Sequence, residues 1–288
     1  MSDGFINLNK PAGMTSHDAV NIVRKIFGTK KVGHAGTLDP AAVGILPIAV
    51  GRATKFIEYL ADCNKTYRAE IIFGVATDTG DLEGEIIQRV EDFVLPSVEE
   101  IRAVVEKFTG EIEQVPPKHS AIKINGRKAY DLARRNVEFE MPRRRVTIHE
   151  IKILGVGENS VSLEINCGKG TYIRSLAVDI GSALKIPAAL KFLQRTRVGE
   201  FCLCHAVEFD DLKFAGEKYL LAIEDCLSGL KKFELAENRV KAFCNGLATN
   251  VRAADETVRV YAAEKFLGVG KIRAGELRSE KLLGESLT

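Results

Sequence analysis

The chain has 288 residues, 45% of them hydrophobic and 28% charged, with a formal net charge of +2. That length supports a large core, in one main domain with a small appendage, and the composition excludes a disordered or fibrous chain. No apolar stretch approaches the roughly 20 residues of a membrane helix, and Met1 to Phe5 lack a basic region leading into an apolar run, so no secretory signal and a cytoplasmic protein are expected.

Phe5 to Leu8 alternates like a short strand and runs into the turn cluster Lys10-Pro11-Ala12-Gly13. Ser16 is placed to cap a helix in which Val20, Val23, Ile26 and Phe27 recur at three and four, with Gly28 as its stop. Next comes Gly33-His34-Ala35-Gly36-Thr37-Leu38-Asp39-Pro40. Its glycines permit a specially shaped loop, and Pro40 pushes Asp39 out of the α region. The loop is suited to holding one carboxylate in a fixed, non-helical place. An Asx turn is the bland alternative.

Ile45 to Val50 reads as a buried strand, Thr54 to Leu60 as a short helix and Lys65 to Phe73 as a strand. Thr77 to Gly84 is a polar turn region. Ser97 and Glu100 form a capping box ahead of the apolar face Ile101, Val104, Val105 and Phe108. Val115-Pro116-Pro117 breaks the pattern. Ala121 to Arg127 resembles a hairpin with Asn125-Gly126 at its turn. Val146 to Leu154 and Val161 to Cys167 are strand candidates, Tyr172 to Leu184 a helix, and Arg195 to Cys204 an alternating segment. After about Ala236, strand-like runs at Thr257 to Tyr261 and Lys265 to Val269 suggest a small β-rich part. Regular βαβ alternation is missing, so an α+β fold is expected rather than a doubly wound one.

Charge is unevenly spread. Nine Lys or Arg residues lie between Lys118 and Arg145, against Asp131, Glu138 and Glu140. Lys118, Arg127, Lys128, Arg143, Arg144 and Arg145 belong to this set. Such a local surface suits phosphates, although a solvated hairpin reads the same way. His119 and Tyr130 stand among the charges and could stack on bases. Gly168 to Arg174 is a second compact cluster that could cradle a phosphate at a helix start, but it lacks P-loop spacing. The six cysteines form no CxxC pair. Cys202, Cys204 and His205 are half of a zinc set without a second pair, so no metal is expected and the thiols are expected reduced.

In combination, Lys10-Pro11-x-Gly13-Met14-Thr15-Ser16, Gly33 to Pro40, Lys65-Thr66-Tyr67-Arg68 and Lys169 to Arg174 closely resemble the TruB family of bacterial tRNA pseudouridine synthases, which act on uridine 55 of the T-loop. The likeness runs from about Phe5 to Gly199. It implies a catalytic domain over residues 1–235 around a mixed, largely antiparallel sheet, with a basic thumb at about 115–146, and a PUA-like RNA-binding domain over 236–288. It also implies that Asp39 is the catalytic aspartate, Tyr67 the tyrosine under the target base and Arg174 the partner of the aspartate. Tyr172 and Leu193 match pocket-lining positions, His34 a position that holds the flipped conformation, and Lys10 and Lys55 basic positions near the cleft. The resemblance implies a tRNA T-stem-loop as substrate, action as a monomer and no cofactor. A guide-RNA-dependent synthase subunit and a tRNA-folding chaperone are the rival readings. The segment Gly74 to Gly84 resembles the stand-alone bacterial type.

Overall fold

Continuous and alternating apolar runs set the strands of this protein, and 3.6-residue periodicity sets its helices. The computed structural model describes residues 2–284 apart from 121, 125 and 136; for Lys128 it describes the backbone alone. Strand β1 (Gly4–Lys10) buries Phe5, Ile6 and Leu8 completely. Helix α1 (Ser16–Ile26) follows, and its cap is Thr15 rather than Ser16. Thr15 and Asp18 exchange both hydrogen bonds of a capping box, worth ~1 kcal/mol. Ser16 is left free for a different partner.

Next come β2 (Val32–His34) and β3 (Val43–Val50), the second almost wholly buried. The helix expected over 54–60 is instead a 3-10 turn at Gly51–Phe56 running into α2 (Ile57–Ala61). Strand β4 (Lys65–Phe73) has the expected bounds. A ribbon of β5 (Val75–Thr77) and β6 (Ile86–Arg89) flanks the polar turn, and α3 (Val98–Glu106) carries the expected Ser97–Glu100 capping box. Strand β7 (Gly110–Gln114) stops before the two prolines. In the basic segment β8 (Lys123–Ile124) and β9 (Arg127–Lys128) pair as a hairpin, followed by α4 (Ala129–Ala133). Asn125, expected at its turn, lies outside the described residues.

Strands β10 (Arg144–Val156) and β11 (Ser160–Cys167) are followed by α5 (Ile173–Leu184), then β12 (Ala188–Val198) and β13 (Phe201–Cys202). The alternating segment expected from Arg195 is thus the end of a longer strand. Its first residues, Ala188, Ala189 and Leu190, are all buried, and burial on both faces hides alternation. The main sheet runs β1-β3-β12-β4-β11-β10-β7, with β2 on β3 and β13 on β12. Every pairing is antiparallel except β12 with β3. This is the mixed, largely antiparallel α+β sheet that was expected.

The remaining strands are β14 (Lys231–Glu234), β15 (Thr249–Asn250), β16 (Glu256–Ala262), β17 (Lys265–Arg273) and β18 (Glu276–Leu282). They form a separate sheet, β14-β16-β17-β18-β15. Phe56 meets Phe266 with ring centroids 6.0 Å apart, and both belong to one core with Phe5, Ile45 and Tyr261. The second sheet therefore shares apolar packing with the first. Among the described residues no helix is long and apolar enough to cross a membrane. Cys202 and Cys204 form a disulfide, which corrects the expectation of reduced thiols for this pair. An extended residue followed by a 3-10 turn at Leu203–His205 brings the two side chains together.

Candidate active site

The loop from Ala35 to Ala42 joins β2 to β3, and four other parts of the chain hold it. At its start, Ala35 donates its N–H to the Pro47 carbonyl at 2.9 Å. Gly36 sits at φ +86°, the left-handed region that glycine enters without penalty. The Ser16 hydroxyl, freed from capping, accepts from the Leu38 N–H at 2.8 Å and donates to the Leu38 carbonyl at 3.0 Å. One side chain of α1 thus satisfies both backbone groups of the residue before Asp39. Past Asp39, Gly13 donates to the Pro40 carbonyl at 2.9 Å.

Lys10 and Arg195 complete the mount. The Lys10 ammonium donates to the carbonyls of Pro11, Met14 and Pro40 at 2.8, 2.9 and 3.2 Å. Lys10 is fully buried, and burial pushes its pKa down to about 8 against the pull of the Asp39 carboxylate. Lys10, expected as a basic position near the cleft, has its donors taken up by backbone carbonyls and shapes the loop. Arg195, 1% exposed, donates from Nε to Ile45 at 2.7 Å, from Nη2 to Gly36 at 3.0 Å and from Nη1 to Thr37 at 3.4 Å. A five-donor fork suits this bridging of several carbonyls. Gly44 is required beside it. A Cβ there would stand 2.2 Å from the Arg195 carbonyl oxygen.

Asp39 points away from these anchors. Its Oδ2 lies 3.0 Å from Arg174 Nε, and Asp81 Oδ2 lies 3.5 Å from the same nitrogen. Among the described residues no Asx turn claims the carboxylate. Arg174 is itself buried, and donates from Nη1 to Thr79 at 3.1 Å and from Nη2 to His119 at 2.9 Å. One guanidinium therefore ties the Asp39 loop, the polar turn and the root of the basic segment. The Asp39 side chain stays 41% exposed while that of Arg174 is 6% exposed, so the carboxylate is open at its free edge.

Burial raises the Asp39 carboxyl above the ordinary carboxylate range, and Asp81 adds to the rise; Arg174 and Lys10 oppose it. The Arg174 guanidinium, expected as the partner of Asp39, limits a rise that burial imposes. Tyr67 lies on β4 between Ile165 of β11 and Arg195 of β12. Its ring is 9% exposed. Burial raises its phenol pKa, opposed by the neighbouring Arg195.

The other expected residues separate into groups. Tyr172 caps the start of α5, and Gln114 grips its backbone, accepting from Tyr172 N–H at 3.1 Å and donating to its carbonyl at 3.3 Å. Gln114 thus holds the backbone of the residue that follows Gly168 to Thr171. Leu193 packs between two cores of the main sheet. His34 ends β2; burial and Arg195 lower its pKa, and its Nδ1 is buried with no partner among the described residues.

Lys55, expected as a basic position near the cleft, is exposed. Its ammonium donates to the Leu282 carbonyl at 3.0 Å, on the second sheet. Lys118, Arg127, Arg143, Arg144 and Arg145 are exposed. Arg143 and Arg145 face Glu113 and Glu111 at 4.0 and 3.3 Å. The side chain of Lys128 lies outside the described ones. Within the basic segment, Arg134 covers the Tyr130 ring at 5.6 Å from its centroid. The sequence reads Ser16 as a helix cap, Asp81 as part of a polar turn and Arg195 as the start of an alternating segment; their use around Asp39 emerges only in the fold.

Residues 24–173 match the family model for the TruB family pseudouridylate synthase (N terminal domain), and residues 232–283 match that for pseudouridine synthase II TruB, C-terminal. A tRNA pseudouridine synthase B of Clostridioides difficile (strain 630) is 43% identical, over 93% of this chain and 94% of its own. One of Bacillus pumilus (strain SAFR-032) is 45% identical, over 85% and 83%. The solved Cbf5-Nop10-Gar1 complex holds a chain with a TM-score of 0.77 at 26% identity, over 98% of this chain and 85% of that one. Sequence identity, matched family models and fold agree: the chain belongs to the TruB family of pseudouridine synthases.

Proposed function

We propose that this enzyme converts uridine 55 in the T-loop of tRNA to pseudouridine, with Asp39, Tyr67 and Arg174 carrying the chemistry. The observation that supports this most is the 3.0 Å pairing of Asp39 with a buried Arg174 at the open end of a rigid loop. A stacked uridine hides its glycosidic bond, so the nucleotide must first be extruded, at a cost of a few kcal/mol. Tyr67 offers a ring to lie under the base, with Leu193 and Tyr172 lining the pocket and His34 holding the flipped arrangement.

Asp39 then attacks C6 of the base or C1′ of the sugar, or takes a sugar proton to give a glycal. The base detaches, turns and rejoins through C5, and the C5 proton leaves. Arg174 fixes the attacking oxygen through Nε, a charge-assisted bond that aims as well as stabilises. The raised pKa of Tyr67 bears on the last step. A neutral phenol can accept the C5 proton only as it passes its own proton onward.

The exposed arginines of residues 115–146 would bind the RNA backbone, with the part after residue 235 as a second RNA-binding unit. In this reading the enzyme works alone, as a cytoplasmic monomer without a cofactor. Incubating the protein alone with a T-stem-loop RNA and assaying pseudouridine tests it. Likeness to a chain of the Cbf5-Nop10-Gar1 complex supports a partner-dependent reading. Full conversion of the bare stem-loop would remove that reading, and no conversion would favour it.

A further inference from the structure

Cys202, Cys204 and His205 lie outside the chemistry just described. Each offers one ligand atom, and the three atoms lie within 4.8 Å of one another. The geometry comes from a sharp change of backbone. Cys202 ends β13 in an extended conformation, at φ −130° and ψ 161°, and the 3-10 turn Leu203–His205 follows at once. That turn closes when Ala206 N–H donates to the Leu203 carbonyl at 3.2 Å. Asn7 pins the other end, donating from Nδ2 to the Cys202 carbonyl at 2.8 Å. Cys202 is half-buried, whereas Cys204 and His205 are exposed. Cys202 also borders a groove of about 360 Å³ with Thr66, Thr196 and Arg197. Thr66 precedes Tyr67 in β4, so its side chain faces the side of the sheet opposite Tyr67.

We propose that this trio is a redox-gated site for one zinc-class cation. Two thiolates and an imidazole are ligands that zinc accepts, at about 2.3 Å for sulfur and about 2.0 Å for nitrogen. Ligand atoms on such an ion stand roughly 3.5 to 4 Å apart, so the two sulfurs, bonded in the closed state, part on reduction while His205 already stands within reach. Three protein ligands suffice when the fourth position is left to water or an exogenous ligand. In the closed state the two sulfurs are joined and cannot bind a metal. A small thiol reductant opens the pair in balanced steps. Its thiolate attacks one sulfur and releases the other as a thiolate. A second reductant thiolate then attacks the reductant sulfur of the mixed disulfide, freeing the second protein thiolate and forming the reductant's disulfide. The pair gains two electrons and two protons, and metal binding returns those two protons to solvent.

Cobalt(II) titration of the full, untagged chain tests this, with zinc(II) as competitor. The reduced chain is expected to take up one equivalent, with tetrahedral d–d bands and a thiolate charge-transfer band, and to lose both to zinc. Cys204→Ser and His205→Ala are each expected to weaken binding at least about tenfold, while Cys63→Ser and Cys244→Ser leave it unchanged. The oxidised chain is expected to show no bands until reductant is added. Pseudouridine formation by each variant reports that it is folded. Absent bands in the reduced chain, or bands that survive Cys204→Ser, overturn the site. Equal binding by the oxidised chain overturns the gating.

Discussion

Arg195 donates from Nη2 to the Gly36 carbonyl at 3.0 Å, and from Nε to the Ile45 carbonyl at 2.7 Å. The first lies before Asp39 in the loop and the second lies on the strand after it. One buried side chain thereby fixes both flanks of the loop that carries the carboxylate. Arg195→Lys leaves a single ammonium for acceptors that a planar fork was satisfying. Stability is expected to fall by about 3 kcal/mol, read as a lower urea midpoint. Single-turnover pseudouridine formation is expected to fall well below wild type while RNA affinity is kept. An unaltered turnover rate would take the loop anchor away from Arg195.

Asp39→Asn separates chemistry from stability. The amide keeps the shape and loses the nucleophile, so turnover is expected to drop by more than about 10³-fold, or ~4 kcal/mol of barrier. RNA binding is expected to survive. Stability should move the other way. Burial raises the folded-state pKa of Asp39, so the folded chain holds that proton more tightly than the unfolded one. This contribution is full below the unfolded pKa and is lost as pH rises through the folded value. At neutral pH the ionised carboxyl is therefore a liability, and Arg174 keeps Asp81 as counter-charge at 3.5 Å. The variant is expected to unfold at higher urea than wild type at pH 7. A lower midpoint would contradict that reading.

The same shift shapes the pH profile. Attack needs the ionised carboxylate, so the acid limb of the single-turnover rate is expected above the ordinary Asp pKa of about 3.9. Asp81 is one of the causes of the rise. Asp81→Asn removes a like charge and is expected to move the acid limb to lower pH. A limb that stays in place would show that Asp81 does not act on Asp39 through charge.

The pairing of Asp39 with Arg174 was legible through the family resemblance, carried by the short motifs in which the two stand. The strands with buried alternation, such as β4 and β11, were legible for the reason that one face meets a core. Arg195 was not, since its meaning lies in carbonyls about 150 positions away in sequence, as with Ile45. Ser16 had the right residue type for a cap, and only the position of Leu38 reveals its actual use. Lys10 reads as a surface cation until the fold wraps three carbonyls around it. Strand β18 escaped notice because Leu277 is its one deeply buried apolar residue.

Tyr67→Phe tests the proton path. The ring keeps its place between β11 and β12, so stacking and RNA affinity are expected to persist. The hydroxyl is gone, and turnover is expected to stall by at least about 10²-fold, the scale of a lost acid–base group. Stability should change little, since the substitution removes only a buried hydroxyl near Arg195. Wild-type single-turnover rates in this variant would remove Tyr67 from the proton transfer.

The exposed arginines make a prediction in salt. Arg143 and Arg145 face Glu113 and Glu111, but these four side chains are 56 to 74% exposed. Surface pairs of this kind are worth about 0–1 kcal/mol, so they do not hold the arginines back from phosphate. The charge of Arg144 opposes the rise that burial gives the Tyr172 phenol, so this cation stands near Tyr172. Replacing all three with Ala is expected to weaken T-stem-loop binding about tenfold or more at moderate salt. Each lost phosphate contact lowers the slope of log affinity against log salt by about 0.7 to 0.9. Fluorescence anisotropy across a salt series should therefore show a slope smaller by about 2 in the triple variant. A slope equal to that of wild type would mean that these arginines face solvent in the complex, and that the RNA lies elsewhere on the protein.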